Sequence, residues 1–206
     1  MFGVVVAAGK LPWFVARSSG LVAWAVMTAS VCLGLATAAR LIRRKGAPAW
    51  MLELHKFFGL LTVVFTVVHL LGLVADTYTK FGFGEILVPL ASKWRPWAVA
   101  GGVVAIYLLI AVEISSWLMK RLPRRVWHAI HLLSLPMFVL TTVHGLMSGA
   151  DRGSLIVQWL CLTGLVLAVF TTVFRALSPR KARRTAAAVR PTSMLPPPNV
   201  EQLLVR

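Results

Sequence analysis

Five predominantly apolar stretches of about 20 residues each divide this chain, at approximately 19–40, 51–75, 97–119, 126–148 and 154–175. A helix of ~20 residues, rising 1.5 Å per residue, crosses the ~30 Å hydrocarbon core of a bilayer. Lipid offers no partner to a free N–H or C=O, so only helices and closed barrels span it. Runs this long are helices. The expected fold is an all-α integral membrane helical bundle of about five transmembrane helices. Residues 1–16 are also apolar but short for a span, and read as a separate interfacial or re-entrant helix, a short sixth at the N-terminus. That segment has no basic n-region and no convincing cleavage site, so it does not read as a signal peptide. Residues 1–177 form the membrane domain on this reading. Residues 178–206 are basic, contain Pro196–Pro197–Pro198, and read as a disordered cytoplasmic tail.

Charge orients the bundle. Against 22 Lys and Arg the sequence has six acids, a formal net charge of +16. The cations cluster at Arg40–Lys45, at Lys120–Arg125 and from Arg175 to Arg190. Each cluster abuts an apolar span, which argues for membrane topology and against a nucleic-acid partner. With five spans the three clusters fall on one side. The N-terminus is then outside and the C-terminus cytoplasmic, in a multi-pass protein of the cell (inner) membrane. Residues 76–95 and 149–153 are the less basic outer loops.

Four histidines lie inside two of the spans. His55 and His69 are 14 residues apart, and His131 and His144 are 13 apart. An imidazole is costly to bury in a membrane and is a functional candidate by default. A single one is more often a hydrogen-bonded interhelical residue; four at two matched depths are harder to explain that way. Both spans run in the same direction, so His55 and His131 share the inner level and His69 and His144 the outer, ~20 Å away. Two imidazoles at each level suit the iron of one haem. No Cys-x-x-Cys-His is present, so the expected cofactor is two b-type haems. Cys32 and Cys161 lie inside spans and imply no disulfide.

The helix faces differ. On the second span His55, Gly59, Thr62, Thr66 and His69 form a stripe of small residues between two ligands. On the fourth, 13 residues of ideal helix leave the second histidine ~140° from the first. Either Pro136 kinks or unwinds the helix, or the two haems approach it from different sides. His128 is a spare, read as an interfacial residue with a lesser case as alternative inner ligand. Lys56, Arg124 and Arg125 read mainly as topology-setting charge, and otherwise as anchors for inner propionates. Glu113 reads as a partner of a basic loop residue, with proton transfer near a quinone as the lesser alternative. Trp13, Trp94, Trp97 and Trp127 fit interfacial belts.

The arrangement resembles the ferric reductase-like transmembrane domain family. Its members include the membrane part of NADPH oxidases and ferric reductases, and the haem subunit of the bacterial periplasmic methionine sulfoxide reductase system. The matching residues are Ala16-Arg17-Ser18-Ser19-Gly20-Leu21, Leu54-His55, Val68-His69, Ser115-Ser116, Trp127, Ile130-His131-Leu132 and Val143-His144. The resemblance covers roughly residues 11–148. It implies that Arg17 matches the family's arginine, whose functional reading is a salt bridge to a haem propionate. Many relatives have a sixth span or continue into a flavin and nicotinamide domain. This chain has some 30 residues after its fifth span and no Gly-x-Gly-x-x-Gly there.

The expected function is transmembrane electron transfer through two haems, as the membrane subunit of an oxidoreductase. No flavin or nicotinamide site is visible, so a flavoprotein reductase or membrane quinol is the expected donor, and an extracytoplasmic partner the acceptor. Two readings from other classes stay open: a polytopic transporter with histidines along a polar path, and a haem-free scaffold with structural histidines. The first expects broken helices or internal repeats at the midplane.

Overall fold

The computed structural model describes residues 2–39, 47–76, 81–148 and 153–177. The basic segment at 40–45, Lys80, the residues 149–152 and the tail from 178 lie outside the described residues. Among the described residues every regular element is helical: α1 (Phe2–Ala39), α2 (Ala47–Ala75), α3 (Phe83–Leu87), α4 (Pro96–Trp117), α5 (Arg124–His131), α6 (Ser134–Ser148) and α7 (Leu155–Leu177). Five segments are long and apolar enough to cross a membrane, α5 and α6 together making the fourth. The chain is an all-α, multi-pass membrane bundle.

Two elements differ from the sequence expectation. The N-terminal stretch is no separate helix. It continues without a break into the first span, giving a helix of 38 residues, about 57 Å long at 1.5 Å per residue. The Ser18 and Ser19 hydroxyls bond back to Phe14 O at 2.8 Å and Val15 O at 2.5 Å, within the helix.

The fourth span is broken. After His131 the chain turns at Leu132–Leu133 before α6 begins. Pro136 has no N–H for the Leu132 carbonyl, and its ring crowds that carbonyl. The backbone responds with bonds of i→i−3 span, Leu133 N to Ile130 O at 3.0 Å and Leu135 N to Leu132 O at 3.1 Å. Residues wound this way advance about 120° each instead of 100°. This local tightening turns α6 partway toward the face that α5 presents.

Helix pairing leaves a cleft. α1 packs along α2, α4 along α6, and α1 also meets α6 and α7. The backbone of α2 makes no comparable approach to α5 or α6. Between the levels the halves are joined by a core of Met27, Val31, Leu35, Ala105, Leu109, Met137, Phe138 and Ala168. Phe138 is 1 % exposed and stacks on Trp24. The Trp24 indole donates to Thr142 Oγ1 at 2.9 Å, so its N–H is satisfied within the bundle. Large apolar side chains such as Leu71, Ile156 and Phe170 cover the outside. That is the arrangement expected where the solvent is hydrocarbon.

Candidate functional site

The cleft holds all four span histidines, two at each end. At one end His55 of α2 faces His131 at the end of α5, with ring centroids 5.9 Å apart. At the other, His69 of α2 and His144 of α6 line one cavity of about 300 Å³. The pairing by level expected from the spacings is the pairing the fold makes. The small stripe on α2 also faces inward. Thr62 and Thr66 line the cavity, and their hydroxyls are spent on Phe58 O and Thr62 O within the helix. They therefore offer methyl groups rather than polar atoms.

Each imidazole is held through Nδ1 by a neighbouring helix. His69 Nδ1 lies 2.6 Å from Ala16 O, and His144 Nδ1 lies 2.7 Å from Ala98 O. His55 Nδ1 lies 2.9 Å from Ser30 O and 3.0 Å from Ser30 Oγ. A backbone carbonyl only accepts, so the proton of these three rings sits on Nδ1. Nε2 then carries the free lone pair. His131 Nδ1 lies 3.3 Å from Ser116 Oγ. The Ser116 hydroxyl donates its own proton to Val112 O at 2.7 Å. It therefore accepts from His131, and the same tautomer follows. Such partners fix ring orientation and strengthen a ligating nitrogen.

Among the described residues no group of three or more His, Cys, Asp or Glu side chains converges to hold a metal. Each level instead supplies two imidazoles with free Nε2 atoms. An iron held by two protein ligands needs the rest of its coordination from a non-protein group, which is what a porphyrin provides. Three observations fit that group. The cavity between His69 and His144 is mostly apolar and of ligand size. Gly20 and Gly102 lie so close to His69 and His144 that a Cβ on either would come within 2.9 Å of the ring. At the inner level the Trp127 N–H is buried with no partner among the described residues, a donor awaiting an acceptor.

Other expectations sort as follows. Arg17 lies within α1, lines the outer cavity, and places its guanidinium 4.8 Å from the Trp13 ring. Trp13 lines the same cavity, so it is not simply an interfacial residue. Trp94 is half exposed and also lines this cavity, while Trp97, at the start of α4, is exposed as a belt residue is. Trp127, near the start of the fourth span, also stacks on His131 at 5.2 Å and 23°. It sits four residues before His131, on the same helical face. His128 is exposed beside Trp127. Lys56 pairs with Glu53 at 2.8 Å on an exposed helix face, and Arg124 and Arg125 are exposed. Glu113 turns toward α2 rather than toward a loop. Its Oε1 lies 3.3 Å from where a Cβ on Gly59 would stand, within electrostatic range of His55. The carbonyls of Ala16, Ser30 and Ala98 are functional groups that the sequence reading did not single out.

The profile of the ferric reductase like transmembrane component matches residues 19–142, more than half of the chain. The chain belongs to this family. The matched span of this ferric reductase-like chain holds His55, His69 and His131, and stops two residues before His144. No curated protein and no solved structure matches.

Proposed function

We propose that this ferric reductase-like chain carries electrons across the membrane through two b-type haems, as the membrane subunit of an oxidoreductase. The observation that carries the reading is the set of four imidazoles, paired at two levels of one cleft, each with Nδ1 occupied and Nε2 free. A haem held by the paired imidazoles at each level would supply a one-electron redox centre. The protein's part is positional. His55 and His131 hold the inner level and His69 and His144 the outer, ~20 Å along the bundle. Mostly apolar walls surround the His69–His144 level. Arg17 is placed to neutralise a carboxylate at the outer level, and the Trp127 N–H to donate to one at the inner level. The N-terminus is outside, the C-terminus cytoplasmic, and the host is the cell (inner) membrane. Electrons enter from a separate flavoprotein reductase or from quinol and leave to an extracytoplasmic acceptor.

The test is transfer across a sealed membrane. Purified protein in liposomes loaded with ferricyanide should let external dithionite reduce the trapped oxidant, and liposomes with His69→Ala protein should not. Equal leakage through both would leave the transporter reading standing.

A further inference from the structure

We infer that a unit of one carbonyl at position n and a glycine or serine at n+4, glycine in three units and serine in the fourth, sets the imidazoles, and that Ser116 tunes the inner level. The inference rests on the haem reading and deepens it. Ala16 and Gly20 serve His69, Ser30 and Gly34 serve His55, and Ala98 and Gly102 serve His144. Val112 and Ser116 serve His131. The two units on α1 are 14 residues apart, and so are the two on α4. Thus α1 and α4 each carry a repeat whose purpose lies on another helix.

The offset has a physical cause. In a helix the side chain at n+4 leans back over the turn that holds carbonyl n. Any Cβ there screens the carbonyl from a neighbouring helix. A Cβ would stand 2.9 Å from His69 Nδ1 at Gly20, 3.3 Å from His55 Nδ1 at Gly34 and 2.7 Å from His144 Nδ1 at Gly102. Glycine leaves a window through which the ring reaches the carbonyl. That oxygen has a second lone pair, so it also keeps its helical bond. At the fourth unit serine fills the window and relays the bond: His131 Nδ1–H to Ser116 Oγ, and Ser116 O–H to Val112 O. The longer contact to a hydroxyl makes His131 the least strongly supported ligand. Removing its acceptor weakens donation from Nε2 and disfavours ferric iron.

Ser116 and the three glycines are positioning residues on this account. The test is a redox titration followed by electron paramagnetic resonance, beside a haem count, on the full-length protein. Ser116→Ala should move the midpoint of one haem to a more positive potential. Ser116→Gly, which opens the window, should leave it at or below the wild-type value. A merely structural role predicts the reverse order, since alanine suits a helix better than glycine. Gly102→Ala should shift or expel the other haem, while Gly101→Ala, one position away on α4 and with only an ordinary 3.8 Å approach of its added Cβ to Leu140 O, should leave both unchanged. Wild-type potentials in Ser116→Ala, or like behaviour of Gly102→Ala and Gly101→Ala, would overturn the inference. If Ser116→Ala does not fold, the second pair decides alone. A wild-type protein without haem would overturn the underlying reading instead.

Discussion

His55 and His131 face each other edge to face across the cleft, 5.9 Å between ring centroids, although 76 positions separate them in the chain. A metal–imidazole bond is about 2 Å long, so rings at this separation are near enough to share one ion. The pair exists because α2 and the end of α5 each bring a histidine to one level. Their Nδ1 partners come from α1 and α4. Four helices thus converge on one pair of rings.

Pairing by level makes the first prediction. His55→Ala and His131→Ala should each remove the same haem, and His69→Ala and His144→Ala the other, as read from low-temperature spectra. His128→Ala should keep both. Spectrally different losses within one pair would break the level assignment.

The approach of α1 to α2 makes the second. A Cβ on Gly72 would stand 2.7 Å from Ala16 N, which is backbone and cannot swing aside. Gly72→Val should push α1 away and carry the Ala16 carbonyl off His69. Overpacking of this kind costs about 1–3 kcal/mol. The expected result is lower thermal stability with preferential loss of the outer haem. Unchanged stability and haem content would show that α1 is not held there.

Much of this was legible in the sequence. The spans, the two levels and the inward stripe on α2 follow from length and spacing alone. The continuity of α1 was hidden because residues 1–16 are too short to span alone and were therefore set apart from the span that follows, while the helix runs through both. Pro136 marked a disturbance in the fourth span, but the turn at Leu132–Leu133 depends on where the displaced carbonyl finds room. The carbonyls behind the imidazoles were invisible, since every residue has one. A signal did exist: Gly20 and Gly34 repeat at 14 residues, as His55 and His69 do. The stacking of Trp127 on His131 was not read, because an interfacial position already accounts for a tryptophan there.

Topology gives a third prediction. Reporter fusions after Lys45, after Lys120 and at the tail should all report cytoplasm, from the basic clusters there. An extracytoplasmic signal at any of the three would contradict the orientation.

The donor gives a fourth. NADPH or NADH alone should not reduce the purified protein, and dithionite should. A flavoprotein reductase or a quinol should restore reduction. For an acidic reductase docking on the basic inner segments, the rate should fall as salt rises. Rapid reduction by NADPH in a verified pure preparation would show a nucleotide site within this chain.

The most direct test of the central claim is a pyridine haemochrome assay on protein purified after expression with ample haem. The account predicts non-covalent b-type haem at close to two per chain, falling to about one in His69→Ala. Protein that folds as the same helical bundle and carries no haem would contradict it.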